Sequence, residues 1–159
     1  GLGDVYKRQA RKNEDFLKLV EEGVQAYEGS VQLLDAIRDR AAAGEKAPQI
    51  AIVSSSKNAR PVLKAAGLLD RFEVVVDGKV ASEKNLPGKP APDTYLYGAQ
   101  QLGASAENAV VVEDATSGVA SGKAGKFGLV IGVDRGAGAE ALREHGADLV
   151  VDDLADLLG

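Results

Sequence analysis

The stretch AVVVEDATS, Ala109 to Ser117, joins a continuous apolar run to two adjacent carboxylates, Glu113 and Asp114. A run this rich in valine is typical of a strand in a parallel sheet that is covered on both faces. In such sheets ligands bind beyond the carboxyl ends of the strands, where these two carboxylates fall. Adjacent carboxylates repel each other unless a cation lies near them, and hard oxygen donors without Cys or His favour Mg²⁺. The stretch therefore predicts a parallel sheet with half of a magnesium site at one edge.

The acidic pair has a second interpretation that rests on the same residues. Acidic side chains in the first turn of a helix stabilise its dipole by about 0.3–1 kcal/mol without any metal. Glu113 and Asp114 precede a glycine-spaced segment that is predicted as a helix ending at Ala124. Taken alone, the pair leaves a helix-start role and a metal role equally open.

Helical and strand patterns alternate along the rest of the chain. Apolar residues at helical spacing predict a first helix over residues 10–22, and a second helix over about 31–43 follows Ser30, which can cap it. Two helices are thus expected before any strand. The pattern continues with strands at 49–53, 72–76, 109–112, 128–133 and 148–151, and with helices at 59–66, 92–102, up to 124, and 139–145. This order predicts an α/β fold with a Rossmann-like, doubly wound parallel sheet, in which residues 77–92 are irregular.

The composition excludes several classes of protein. The 159 residues are 45% hydrophobic and 27% charged, which suffices for one domain core, and no apolar run approaches the ~20 residues of a membrane span. There is no cysteine, so disulfides and thiolate metal sites are excluded, and a reducing, cytoplasmic location is expected. A net charge of −5 and few aromatic residues argue against nucleic acid and acidic membranes as partners. Small anionic substrates need only a local positive cluster and stay compatible with this balance.

The first nine residues, GLGDVYKRQ, are set apart from the rest of the chain. They carry neither helical nor strand periodicity, and they lack the basic head, apolar centre and cleavage site of a secretory signal. The chain begins with Gly and contains no Met. Residues 1–9 are therefore expected to be a non-native start, and they are left out of the fold prediction.

A polar loop follows the strand QIAIV and precedes a predicted helix. It consists of Ser54, Ser55, Ser56, Lys57 and Asn58. Hydroxyl groups and free backbone N–H groups at a helix start can hold an anion, and a lysine adds a charge that phosphate oxygens favour. The alternative is that one serine only caps the helix.

A second loop holds a lysine between prolines, in the segment GKPAPD that contains Lys89 and Pro92. Proline fixes the backbone on either side, and Pro92 suits the first turn of the next helix. A single loop lysine is more often solvated than functional. The arrangement favours function, since hydroxyls, a rigid lysine and an acidic pair follow three successive strand ends or connections.

These three loops together resemble the haloacid dehalogenase superfamily of phosphatases and phosphomutases. IAIVSSSKN is similar to the strand of that family that ends in Ser or Thr, GKPAPDTYL to its lysine motif, and VVVEDATSGV to its acidic motif. The segments look most like the β-phosphoglucomutase-like branch. Upstream, residues 11–13 and the turn at 27–29 resemble the last cap helix and the return linker of that branch. The resemblance covers residues 10–158.

The resemblance implies Mg²⁺-dependent phosphoryl transfer on a sugar phosphate through an aspartyl phosphate, as from β-glucose 1-phosphate to glucose 6-phosphate. It implies a catalytic role for Ser54, which would bind the transferring phosphoryl group, and for Lys89, which would bridge the nucleophile and that group. Glu113 and Asp114 would hold Mg²⁺. The remaining implied substrate contacts are Ser55, Ser56, Lys57 and Asn58 at a second phosphate, and Lys12 and Asn13 at the sugar.

One element of the family pattern is missing. The family's first motif, Asp-x-Asp at the end of its first and central strand, supplies the nucleophile, and no such pair precedes Ser54. The resemblance therefore predicts a core at residues 27–159 that lacks its central strand, with residues 10–26 as the remnant of a helical cap. Such a chain is expected to be inactive and only marginally folded, because unpaired buried backbone groups cost about 1–3 kcal/mol each. The complete protein is expected to be a monomer.

Three functions stay open on the sequence. The first is a truncated phosphomutase, or a sugar-phosphate phosphatase of the same superfamily. The second is a noncatalytic module that holds phosphate in the loop at residues 54–58. The third is a receiver-like or nucleotide-binding domain, which the absence of a glycine-rich phosphate fingerprint disfavours.

Overall fold

The structure is a computed structural model that describes residues 17–20 and 28–158, with side chains described from Val31 onwards. Short apolar runs form strands, and the longer segments between them form helices. The strands are β1 Leu17–Val20, β2 Ile50–Val53, β3 Val74–Val76, β4 Ala109–Glu113, β5 Leu129–Val133 and β6 Leu149–Val151. The α-helices are α1 Glu28–Ala42, α2 Ala59–Ala65, α3 Gly78–Glu83, α4 Asp93–Gln101, α5 Thr116–Ala124 and α6 Ala139–His145. Single 3₁₀ turns lie at Leu69–Arg71, Ala106–Asn108 and Leu154–Leu157.

The described strands form one parallel sheet in the order β3-β2-β1-β4-β5-β6. Each step between parallel neighbours requires a crossover, and helices supply most of these connections. The order reverses direction between β1 and β4, and a reversal of this kind places a crevice at the carboxyl ends of the strands. The predicted α/β class with a doubly wound parallel sheet is confirmed.

The centre of the sheet differs from the prediction. Leu17–Val20 lies between β2 and β4 and pairs with both, for example at Leu19 with Ala51 and Val111. The helix expected over 10–22 is therefore wrong for residues 17–20, and so is the expectation of a sheet without a central strand. A short apolar run fits helical spacing and strand alternation alike. Since β2 and β4 both present backbone groups that need partners in a buried sheet, tertiary pairing decides in favour of the strand.

The core lies on both faces of the sheet, because successive residues of a strand point to opposite sides. In β4, Val110 and Val112 belong to one buried cluster, whereas Ala109 and Val111 belong to another. The first cluster includes residues of α1 and of the carboxyl-terminal turn, and the second includes residues of α4, α5 and α6. Alternation along β4 thus assigns Glu113 to the same face as Val111, towards α4 and α5.

Most predicted boundaries lie within one or two residues of the observed ones, with two corrections. Helix α1 begins at Glu28, so Ser30 lies inside it and does not cap it. The segment 77–92, expected to be irregular, contains α3, because the Asp77 side chain accepts a hydrogen bond from the Val80 N–H at 2.9 Å and caps the helix.

Among the described residues, no helix combines the length and apolar character needed to cross a membrane.

Candidate active site at the carboxyl edge of the sheet

The Lys89 ammonium joins two strand ends at the carboxyl edge of the sheet. Its Nζ donates to the backbone carbonyl of Val53, the last residue of β2, at 3.2 Å, and to Glu113 Oε2, at the end of β4, at 3.4 Å. The lysine side chain is 8% exposed and the glutamate side chain 1%. Ser54 directly follows Val53, and Asp114 directly follows Glu113. The hydroxyl loop, the lysine and the acidic pair therefore converge at one edge.

The loop at residues 54–58 is held in shape by its own serines. Ser54 Oγ accepts the Ser56 N–H at 3.1 Å, and Ser56 Oγ accepts the Asn58 N–H at 3.0 Å. Such local turns fix the backbone between a strand and a helix. No serine caps α2, whose preceding residue Asn58 makes no capping hydrogen bond through its side chain. The loop is mostly exposed, so its hydroxyls and Lys57 are accessible to a ligand.

Gly78, at the start of α3, packs closely against this loop. Its N–H donates to the Ser56 carbonyl at 3.0 Å, and Ser54 is tied to the end of β3 by a backbone hydrogen bond to Val76 at 2.8 Å. A Cβ atom on Gly78 would lie 2.6 Å from the Ser55 carbonyl oxygen and 2.9 Å from Lys57 Cγ. The loop can approach α3 this closely only because residue 78 has no side chain.

Gly78→Ala is expected to displace the loop and to lower the free energy of unfolding by about 1–3 kcal/mol, the usual effect of overpacking. The ¹H–¹⁵N spectrum should show shifts concentrated in Ser54, Ser56 and their neighbours, and urea unfolding should report the lost stability. Lys79→Ala, at the adjacent exposed position, is the control and should change neither. Equal spectra for Gly78→Ala and wild type would contradict the close approach.

Glu113 is enclosed by α4 and α5 as well as by Lys89. The Tyr95 hydroxyl donates to Glu113 Oε2 at 2.7 Å, and a Cβ on Gly118 would lie 1.9 Å from Glu113 Cδ. The first turn of α5 therefore packs directly against the carboxylate. Ser121, one turn further along α5, donates to the Ala91 carbonyl at 2.7 Å and fastens the lysine loop to the same helix.

Burial dominates the electrostatics of this cluster. It raises the pKa of Glu113 above its usual value, an effect that the nearby Lys89 ammonium and the Tyr95 hydrogen bond oppose. Burial likewise lowers the pKa of Lys89, against the attraction of Glu113 and Asp114. Each group thus opposes the effect of burial on the pKa of the other, because opposite charges at close range favour the ionised forms.

The acidic pair suits a hard divalent cation. Tyr95 and Lys89 both contact Oε2 of the buried Glu113, and the half-buried Asp114 follows it at the edge. Within the described part of the chain, no group of three or more Asp, Glu, His or Cys side chains could hold a metal. Mg²⁺ is commonly bound by one or two carboxylates together with water and substrate phosphate. Two carboxylates beside a phosphate-accessible loop fit that pattern.

The structure places three further residues around Glu113 and its lysine loop, and two of the predicted site residues are not among those it describes. Lys12 and Asn13, predicted to face a sugar, lie outside the described residues. Tyr95, Gly118 and Ser121 were not predicted. Tyr95 and Gly118 had a signal in the sequence, since both lie in the motifs GKPAPDTYL and VVVEDATSGV, but only packing reveals that they meet Glu113.

Comparison with known proteins gives a consistent family. A beta-phosphoglucomutase of Mycobacterium bovis is 48% identical over 97% of this chain and 58% of that protein. Hexitol phosphatase A of Escherichia coli is 38% identical over 86% of this chain and 57% of its own length. The chain thus spans somewhat more than half the length of these relatives.

Solved structures agree with the observed fold. A HAD family hydrolase of Deinococcus radiodurans, crystallised with bound phosphate and sodium, superposes with a TM-score of 0.67 at 35% identity, over 84% of this chain and 57% of that one. A beta-phosphoglucomutase of Clostridium difficile gives a TM-score of 0.66 at 26% identity, over 97% of this chain and 58% of that one. Residues 2–126 match the profile of haloacid dehalogenase-like hydrolases, a span that includes the hydroxyl loop, the lysine and the acidic pair. The chain therefore belongs to the haloacid dehalogenase-like hydrolase family.

Proposed function

We propose that the intact protein transfers a phosphoryl group on sugar phosphates, with Mg²⁺, in the manner of a β-phosphoglucomutase. The observation that carries the proposal is the Lys89 ammonium, which links the end of β2 to the acidic pair at the end of β4. Phosphoryl transfer depends mainly on positioning and on neutralising charge over the equatorial oxygens. A buried ammonium between a hydroxyl loop and two carboxylates provides those two features. The proposed reaction converts β-glucose 1-phosphate to glucose 6-phosphate through an aspartyl phosphate.

Each residue of the site has a proposed role that follows from its position. Ser54, at the end of β2, would donate its hydroxyl to an oxygen of the transferring phosphoryl group, and Lys89 would neutralise charge on that group. The exposed loop Ser55–Asn58 would bind a second phosphate through its serine hydroxyls and the Lys57 ammonium. The two serine turns hold the backbone of this loop and so fix where its side chains begin.

Mg²⁺, when bound by Glu113 and Asp114, would neutralise phosphoryl charge. The protein's own contribution is to hold Glu113 in place beside Asp114. Lys89 and Tyr95 do this by contacting Oε2 of Glu113. The sugar contacts predicted for Lys12 and Asn13 remain part of the proposal, as do a monomeric state and a cytoplasmic location.

The 159-residue chain by itself is proposed to be inactive. The sequence before Ser54 contains no Asp-x-Asp pair, which in this family supplies the nucleophile. The chain is nevertheless proposed to bind phosphate and Mg²⁺. Inorganic phosphate should shift the amide signals of residues 54–58 in the ¹H–¹⁵N spectrum, and Ser54→Ala should weaken that binding. Ser82→Ala, an exposed serine of α3, is the control.

The activity is tested on the protein produced from the complete reading frame. With Mg²⁺ and β-glucose 1-phosphate, ³¹P NMR should show glucose 6-phosphate, and Lys89→Ala should reduce kcat at least about 100-fold, as expected for loss of one electrostatic contact to the transition state. Full activity in Lys89→Ala would overturn the role of the lysine. A complete frame without an upstream Asp-x-Asp pair would instead favour a noncatalytic phosphate-binding module.

A phosphatase of the same family is the second candidate. It is favoured by the similarity to hexitol phosphatase A, which is 38% identical over 86% of this chain. Transfer to water and transfer to a sugar use the same lysine and acidic pair, so the carboxyl edge does not discriminate between them. Release of inorganic phosphate from hexitol or hexose phosphates, without glucose 6-phosphate, would select the phosphatase.

A further inference from the structure

We infer that Tyr95 is a positioning residue that holds both the Glu113 carboxylate and the Lys89 ammonium in place for cation and phosphate binding. That the site binds a cation and phosphate is taken from the proposed function. The positioning role of Tyr95 is argued from contacts within the chain. Tyr95 acts through its two neighbours and is not expected to touch the substrate. Its hydroxyl and its ring have separate tasks.

The hydroxyl fixes Glu113. It lies 2.7 Å from Oε2, and the tyrosine is completely buried. The phenol O–H donates to this carboxyl oxygen. Burial and the nearby Glu113 charge raise the pKa of Tyr95 well above its usual value, which keeps the donor proton in place. A hydrogen bond of this kind restricts the orientation of the carboxyl group.

The ring fixes Lys89. The lysine Nζ lies 4.8 Å from the centre of the Tyr95 ring, within the range of a cation–π contact. The ring itself cannot turn freely, because it packs edge-to-face against Phe127, with centroids 6.1 Å apart and an interplanar angle of 72°. The lysine is therefore held from two sides, by Glu113 and by an aromatic face that Phe127 keeps in position.

A purely space-filling role would not require the hydroxyl. Phenylalanine would fill the same volume, keep the contact with Phe127 and keep the ring under Lys89. A buried hydroxyl lowers stability unless it finds a partner, and the Tyr95 hydroxyl is bonded to Glu113. Tyr97, two residues further along α4, is half-buried. Tyr97→Phe therefore makes the same chemical change at a tyrosine that has no part in the Lys89–Glu113–Tyr95 contacts described above.

The variants Tyr95→Phe, Tyr95→Leu and Tyr97→Phe separate these tasks in the chain as it exists. Tyr95→Phe removes only the hydroxyl, Tyr95→Leu removes the ring as well, and Tyr97→Phe is the matched control. Three readouts are used: Mn²⁺ affinity by electron paramagnetic resonance, the ¹³Cδ signal of Glu113, and the ¹⁵Nζ signal of Lys89. None of them depends on turnover.

Tyr95→Phe is expected to weaken Mn²⁺ binding about tenfold, as for loss of a partner that orients a metal ligand. It should also shift the Glu113 ¹³Cδ signal, while the Lys89 ¹⁵Nζ signal stays near its wild-type position. Tyr95→Leu should change both signals, and Tyr97→Phe neither. An unchanged Glu113 signal in Tyr95→Phe would overturn the inference, whatever the metal affinity.

Two further outcomes are distinguished by design. If the wild-type chain binds no Mn²⁺ at millimolar concentration, the metal site of the proposed function fails, while the ¹³Cδ signal still decides the positioning role. If Tyr95→Phe does not fold, the wild-type Tyr95 hydroxyl proton decides it. A slowly exchanging, low-field signal with a contact to the Glu113 side chain supports the inference. A rapidly exchanging hydroxyl would overturn it.

Discussion

Gly118→Ala is expected to lower the free energy of unfolding by about 3 kcal/mol, at the upper end of the usual range for overpacking. The added Cβ would lie 1.9 Å from Glu113 Cδ and 2.0 Å from Oε2. Glu113 cannot move aside easily, because it is 1% exposed and held by Tyr95 and Lys89. The higher helix propensity of alanine, worth about 1 kcal/mol over glycine, opposes the effect but is smaller.

Urea unfolding and calorimetry measure this effect, and the midpoint of thermal unfolding should fall by roughly 5–10 °C for a chain of this size. Gly88→Ala is the control, since a Cβ at Gly88 meets nothing within 4 Å. It should leave stability within about 1 kcal/mol of wild type. If both variants were equally stable, the close packing of α5 on Glu113 would be contradicted.

Lys89→Met is expected to destabilise the chain by about 3 kcal/mol, because breaking a buried ion pair leaves a buried charge without its partner. Glu113→Gln should have a similar effect, since it leaves the ammonium 8% exposed beside a neutral group. The double variant removes both charges, and the Tyr95 hydroxyl can still donate to the glutamine carbonyl. It should therefore be more stable than the sum of the single effects implies, by about 2 kcal/mol.

Metal-free protein and urea unfolding provide the measurement for all four members of this cycle. Arg38→Met, an exposed cation on α1, is the control for loss of a positive charge, and its effect should be small. Strict additivity in the Lys89–Glu113 cycle would mean that the two groups do not interact, and it would remove the main support for the site.

The effect of Lys89→Met should also depend on pH. The pKa of Glu113 is already raised by burial from an ordinary value of 4.5, and Lys89 opposes this rise, so removing the lysine raises the pKa further. A carboxyl group with a raised pKa binds more protons in the folded state than in the unfolded state. Its contribution to the free energy of unfolding therefore falls as the pH rises above the pKa of the unfolded state. Lys89→Met should therefore lose more stability, relative to wild type, at about pH 8 than at about pH 5. An equal loss of stability at the two pH values would show that Lys89→Met does not leave a Glu113 charge without its partner.

The sequence was sufficient for the α/β class and for the three loops of the site. Valine-rich runs such as 109–112 are typical of buried strands, and polar residues at their carboxyl ends meet at one edge of a parallel sheet. Ser54 and Glu113 could be selected in this way because each lies at the end of a predicted strand, and Lys89 because prolines hold its loop. The motifs of the family made the same selection on independent grounds.

Tertiary structure decided what local pattern leaves ambiguous. The run at residues 17–20 fits a helix and a strand equally well, and only pairing with β2 and β4 assigns it to the sheet. The contacts of Tyr95 and Gly118 with Glu113 join residues 18 and 5 positions apart through helix packing, which no periodicity encodes. Sequence patterns determine which backbone conformation a segment favours. Close contacts between side chains depend on how the helices pack against the sheet.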